Sequence, residues 1–113
     1  MDIAFDFIKR VFGNDTGQPN ENGWKVWFEE SGRSGKVVFQ GEGHSFSMYW
    51  EFGGGDVVAI IDVPTEEKWE KQTGIPLIKR PEILNFIGSE TVRQKLSTNG
   101  YFKLAEDSIL IYS

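Results

Sequence analysis

The chain has 113 residues, of which 39% are hydrophobic and 26% are charged. This is enough for one domain with its own core and too little for two. The chain contains no cysteine, which excludes disulfide frameworks, thiol nucleophiles and metal sites built on cysteine pairs. The net charge of −5 disfavours nucleic acid as a partner. We therefore expect a single domain over residues 1–113 without a resident cofactor or metal.

Nothing in the hydropathy pattern predicts a membrane protein. The longest apolar run, Val57–Ile61, is far shorter than the about 20 residues that cross a bilayer. The start of the chain, residues 1–12, carries acids inside its apolar stretch and lacks the basic flank of a secretory signal. We therefore expect a cytoplasmic protein.

The first predicted element is an amphipathic helix over Asp2–Phe12, which ends at Gly13. A polar loop over residues 13–23 follows it. The stretch Trp24–Glu30 then alternates apolar and polar residues with the period of a strand, and a second strand, Lys36–Gln40, follows a glycine-bearing turn.

The third and fourth strands are predicted to form a hairpin about Gly54–Gly55. A two-residue loop there sets Trp50 opposite Ala59 and Met48 opposite Ile61, so that each inward residue has an apolar partner. A slip by one residue would place apolar residues opposite acids. The pattern therefore favours the two-residue loop.

Two helices and a second hairpin complete the chain. A short helix is expected from Thr65 to Gly74, and a longer one over Pro81–Thr98. Gly88 lies on the apolar stripe of the longer helix, which predicts a close approach to the sheet or to the first helix. The last two strands, residues 101–105 and 108–112, turn at Glu106-Asp107.

The predicted order is therefore α-β-β-β-β-α-α-β-β. Short turns make successive strands antiparallel neighbours. This order predicts an α+β fold with one mostly antiparallel sheet and with its helices packed on one face.

The candidate catalytic residue is His44, the only histidine. A histidine base needs a nucleophile and an orienting group within hydrogen-bond reach, and Ser45 should point to the opposite side of the strand. We therefore favour a protein that is not an enzyme. The alternative is a small-ligand-binding protein or weak hydrolase with a pocket near His44, between the sheet and the longer helix, that uses Glu42 or Tyr49.

The unusual feature is the aromatic content, with four Trp, nine Phe and three Tyr. Most of these side chains should form the core, but alternation places Trp27 and Tyr49 on the opposite sheet face. Either another segment of the chain covers this face, or the face is exposed as an open platform. An open platform of this composition binds proteins. The predicted binding residues are Trp27, Tyr49, Val58 and Ile60, with Glu51, Asp56 and Asp62 around them.

The distribution of charge suggests the partner. Residues 41–70 hold seven acids and one base, whereas residues 71–103 hold six bases and two acids. Acids around aromatic anchors favour a basic protein. We therefore expect a protein-binding module, with a bacterial toxin-immunity protein or a secretion chaperone as concrete examples. A homodimer that forms through the same face is a further possibility.

Overall fold

The computed structural model describes residues 19–96 and 99–113. The helix predicted over Asp2–Phe12 lies outside the described residues. In the part that is described, the order is four strands, two helices and two strands. The strands form one antiparallel sheet of six, so the fold belongs to the predicted α+β class.

The six strands lie in the order β1-β2-β3-β4-β6-β5. The first four follow one another through short turns, as expected. The last hairpin, which turns at Glu106-Asp107 as predicted, places β6 against β4 and leaves β5 at the edge. The strand bounds are β1 Lys25–Ser31, β2 Ser34–Gly41, β3 His44–Phe52, β4 Val57–Asp62, β5 Tyr101–Leu104 and β6 Ser108–Tyr112.

The first described helix, α1, spans Glu66–Thr73 and confirms the predicted short helix. Thr65 occupies the N-cap position, although its side chain makes no capping hydrogen bond. Gly74 ends the helix in the left-handed conformation, with a φ of 77°, and its N–H donates to the carbonyl of Glu70. Glycine suits this position because it has no Cβ to clash in that conformation.

The second helix, α2, spans Arg80–Lys95 and follows a 3₁₀ turn over Leu77–Lys79. Gly88 faces the sheet at close range, since a Cβ atom on it would lie 2.5 Å from the ring of Phe102. The close approach predicted from this glycine is therefore confirmed, and its target is strand β5.

Both described helices cover the same face of the sheet. The Trp69 ring of α1 meets Phe46 of β3 edge to face, with ring centroids 5.4 Å apart. The Phe86 ring of α2 meets Trp24 and Phe39 in the same way, at 5.8 and 6.3 Å. This face carries most of the hydrophobic core.

The predicted hairpin register is wrong by two residues. Trp50 pairs with Ile61 rather than Ala59, and Ala59 pairs with Phe52. The connection is wider than two residues: the Gly53 N–H donates to the Val58 carbonyl, and the Val57 N–H donates to the Gly54 carbonyl. A shift of two residues keeps each side chain on its face, because strand side chains alternate with period two. The residues predicted to pair inside this hairpin are therefore buried as expected but have different partners; they are Met48, Trp50, Ala59 and Ile61.

Arg80, at the start of α2, joins three segments. Its guanidinium donates two hydrogen bonds to the Pro64 carbonyl, before α1, and one to the Glu106 carbonyl, in the β5–β6 turn. It also lies 5.9 Å from the centroid of the Trp69 ring. Arg80 is only 8% exposed, so the cation is held mainly by backbone carbonyls and an aromatic ring.

No helix in residues 19–96 or 99–113 has the length and apolar character needed to cross a bilayer.

Candidate functional site

The sheet face opposite the two helices is called here the open face. Strand alternation and the pairing registers assign its side chains, since directly paired residues point to the same side. Across β1 to β3 the open face carries Lys25, Trp27, Glu29, Lys36, Val38, Gln40, Ser45, Ser47, Tyr49 and Glu51. Across the other strands it carries Ile60, Asp62, Ser108, Leu110, Tyr112, Tyr101 and Lys103.

Tyr49 is the most exposed aromatic residue that the structure describes, with 65% of its surface accessible. It lies on β3, an inner strand of the sheet. Glu51 and Asp62 beside it are exposed, and Ile60 is half-buried. These four predicted residues are close neighbours, because Ile60 pairs with Glu51, and Glu51, Asp62 and Tyr49 line one depression.

Trp27 is half-buried and lies on the same face, two strands away from Tyr49. Its direct partner on β2 is Val38, which in turn pairs with Ser47. Val38 is 9% exposed but does not belong to the core cluster, so side chains of the open face cover it. The two predicted aromatic anchors are therefore about 12 Å apart, given two strand spacings and an offset of two residues along the strands.

Val58 was wrongly predicted to lie on the platform. The pairing of β4 with β6 is irregular between Val57 and Ala59, and such a bulge interrupts the strict alternation of side chains. Val58 is 9% exposed and packs with the core cluster. Asp56 is exposed, but it lies in the β3–β4 connection beyond the end of the strand.

Each aromatic anchor of the open face has a lysine beside its ring, a feature that the sequence reasoning missed. The Lys25 ammonium lies 5.9 Å from the centroid of the Trp27 ring, and that of Lys36 lies 5.9 Å from the centroid of Tyr49. Both distances are within the range of a cation–π contact. Cross-strand pairing could have suggested the second contact, since Lys36 is directly opposite Tyr49.

The distribution of charge on the open face is uneven. Lys25, Lys36 and the acid Glu29 lie on β1 and β2, whereas β3 and β4 carry the acids Glu51 and Asp62 and no base on this face. A depression of about 230 Å³ lies at this acidic part, and it is lined by Ser34, Tyr49, Trp50, Glu51 and Asp62. The face therefore offers a basic group its most favourable contact next to Tyr49.

His44 lies in a different place, at the end of β3 near the β2–β3 turn. A polar pocket of about 490 Å³ includes His44, Glu42 and Ser45. The His44 Nδ1 atom is 2.9 Å from the backbone oxygen of Glu42, while the Glu42 carboxylate accepts a hydrogen bond from the Trp24 indole. The carboxylate is thus engaged elsewhere and does not orient the imidazole.

Tyr49, the other predicted partner of His44, also lies apart from its ring. The His44 ring packs near Gly74, at the end of α1, so it points to the helix side of the sheet. Tyr49 points to the open face. The structure therefore does not bring Tyr49 and His44 into one site.

Two further exposed apolar features were not singled out from the sequence. Ile78, in the 3₁₀ turn, is 86% exposed, and the rings of Tyr101 and Tyr112 stack with centroids 4.9 Å apart. In the sequence, only the position of Ile78 between the two predicted helices could have indicated that it is exposed. The tyrosine stack depends on the β5–β6 register, in which the two residues pair directly.

Comparison with known proteins found no matching family model, no matching curated protein and no matching solved structure. The geometry of the site is therefore the basis for a functional hypothesis.

Proposed function

We propose that this protein is a non-enzymatic protein-binding module that binds a basic partner on its open face. The exposure of Tyr49 is the observation that supports the proposal most directly. A tyrosine that is 65% accessible on an inner strand leaves a large amphipathic surface available for contact. In the described part of the chain, both helices pack on the other face.

The composition of the open face suits protein recognition. Tyrosine and tryptophan dominate the binding energy of many interfaces, because a rigid ring buries a large area at a small cost in entropy. Trp27 and Tyr49 supply two such anchors, and the half-buried Ile60 and Leu110 add aliphatic surface. Charged side chains surround these residues and would form the polar rim of an interface.

A basic partner is favoured by the charges nearest to the exposed ring. Glu51 and Asp62 flank Tyr49, and the whole chain carries a net charge of −5. Opposite charge on the partner would accelerate its encounter with this face. The lysines at positions 25 and 36 restrict the favourable contact to the β3–β4 side, so the partner's basic groups should lie over that side.

Two classes of protein would use such a module: a toxin-immunity protein that binds and neutralises its toxin, and a secretion chaperone that holds its cargo. The lack of cysteine is compatible with action in the reducing cytoplasm. Proteins of both classes act by binding and need no catalytic residues.

The test begins with affinity capture from the native cell and continues with the purified partner. The double variant Trp27→Ala/Tyr49→Ala should weaken binding by about 30-fold or more, as the loss of two anchors in an interface does. The matched control is Ile78→Ala, which removes an exposed apolar side chain away from the open face and should change the Kd less than about twofold. Equal binding by the double variant and the control would refute the proposal.

A small-ligand-binding or weak hydrolytic function at His44 is the second candidate, and the 490 Å³ polar pocket favours it. The substitution His44→Ala separates the two candidates. Loss of a ligand-induced melting shift or a turnover in His44→Ala, with both retained in Trp27→Ala, would favour the pocket.

A further inference from the structure

The depression beside Tyr49 has the chemistry of a site for one cationic side chain. Its walls include the exposed ring of Tyr49 and two exposed carboxylates, Glu51 and Asp62. Asp62 follows Ile61, which pairs with Trp50, so it lies on β4 next to the Tyr49 position, and Glu51 is two residues along from Tyr49 on the same side of β3; all three line the depression. The ring and both carboxylates can therefore contact one group at the same time.

Lysine side chains of the chain itself already lie against the rings of the open face. Lys36 lies 5.9 Å from the Tyr49 centroid, and Lys25 is at the same distance from Trp27. On the β5–β6 side, Lys103 lies 5.4 Å from the Tyr112 centroid. The rings thus present their electron-rich faces to positive charge.

Lys36 does not satisfy the carboxylates of this depression. The only ion pair closer than 4.0 Å among residues 19–96 and 99–113 joins Arg93 to Glu90, on α2. Tyr49 also remains 65% exposed despite its contact with Lys36. Space and negative charge are therefore both available for a second cation.

We propose that an arginine side chain of the partner protein occupies this depression, stacked on Tyr49 and hydrogen-bonded to Glu51 and Asp62. The inference rests on the proposed function, since it names the group by which a basic partner is recognised. A guanidinium is planar, so it can stack on a ring while its N–H groups donate to carboxylates in its plane. A lysine ammonium is a point charge and cannot do both equally well.

Other occupants fit the depression less well. An acidic or phosphate-bearing group would be repelled by Glu51 and Asp62. An apolar strand laid across the depression would bury two carboxylates without donors, which is costly. A second copy of this chain would have to place one of its own cationic side chains in the depression. The test below detects such self-association.

The test uses short blocked peptides on the isotopically labelled full chain. The probe is acetyl-Gly-Arg-Gly-amide, and acetyl-Gly-Lys-Gly-amide and acetyl-Gly-Gln-Gly-amide are its controls. Amide NMR spectra are recorded during titration at low salt, because screening weakens contacts between exposed charges. We expect saturable shifts at Tyr49, Glu51 and Asp62, with binding of the arginine peptide about threefold or more tighter than that of the lysine peptide.

A pair of variants defines the site. Glu51→Gln/Asp62→Asn should weaken binding of the arginine peptide by about fivefold or more, as expected when two charged acceptors are lost. Glu29→Gln is the matched control, because Glu29 is an exposed acid on the same face and pairs with Lys36 from the other side. It should change the affinity less than about twofold, since its carboxylate is outside the depression. All three substitutions are at exposed positions, and the spectra report directly whether each variant folds.

Several results would overturn the inference. These are shifts that do not saturate, shifts spread over all acidic surfaces, equal binding of the arginine and glutamine peptides, and equal loss in Glu29→Gln. Shifts at Tyr49 that depend on protein concentration without peptide would assign the depression to a second copy. If the arginine peptide fails while Trp27→Ala/Tyr49→Ala still abolishes partner binding, the arginine site falls and the proposed function stands. If that double variant binds the partner normally, the proposed function falls.

Discussion

The substitution Arg80→Met should destabilise the fold far more than a substitution of an exposed arginine. Arg80 donates three hydrogen bonds to two backbone carbonyls, those of Pro64 and Glu106, at distances of 2.9 to 3.1 Å. Because Arg80 is 8% exposed, water has little access to replace these donors. Methionine keeps the apolar length of the side chain and its contact with Trp69, so the variant isolates the loss of the guanidinium.

The size of the effect follows from the number of carbonyls that lose a donor. A hydrogen bond to a charged group contributes about 1.5–3 kcal/mol, and two carbonyls are left without a donor. Part of the cost is offset because methionine carries no charge to desolvate. We therefore expect the free energy of unfolding to fall by about 3 kcal/mol, which is a large fraction of the about 5–15 kcal/mol of an ordinary domain.

Urea unfolding followed by tryptophan fluorescence measures this change. The control is Arg33→Met, at an exposed arginine in the β1–β2 turn, which should alter stability by less than about 0.5 kcal/mol. Arg80→Lys should lose nearly as much as Arg80→Met, because an ammonium cannot reach both carbonyls with the geometry of a guanidinium. An Arg80→Met protein as stable as Arg33→Met would refute the reasoning.

Two further predictions test the alternation of β3 and the end of α1. Phe46→Ala should lower the free energy of unfolding, measured by chemical denaturation, by about 3 kcal/mol. Ser47→Ala, at the neighbouring position on the open face, should change it by less than about 0.5 kcal/mol. Equal effects of the two substitutions would contradict the assignment of faces. Gly74→Ala should cost about 1–2 kcal/mol, because its φ is 77° and the new Cβ would lie 2.7 Å from the His44 ring. Gly54→Ala, in open space, is the matched thermal-unfolding control, and an equal loss there would show that the left-handed conformation is not the cause.

The alternation along β3 predicts which side chains point inward, because a side chain on the wrong face would cost much free energy. On β3, a shift by one residue would bury Glu51 and expose Trp50, so alternation alone determines the face of each residue. A shift by two residues keeps every residue on its face, and the pattern contains no information against it. This is why the predicted inward residues of β3 were confirmed while the predicted partner of Trp50 was wrong.

Other features of the site depend on contacts that a linear pattern does not contain. The burial of Val58 follows from an irregularity in the pairing of β4 with β6, two strands that are far apart in the sequence. The lysine beside Tyr49 follows from the β2–β3 register. The strand order, in which β6 separates β4 from β5, also comes from packing rather than from local preference.

Hydroxyl-radical footprinting of the free protein and of the purified complex tests most directly whether the open face around Tyr49 contacts the partner. In the free protein Tyr49 should be labelled strongly and the half-buried Trp27 less. In the complex both should be protected, while labelling of His44, on the opposite side of β3, should not change. Unchanged labelling of Tyr49 together with protection of His44 would contradict the account.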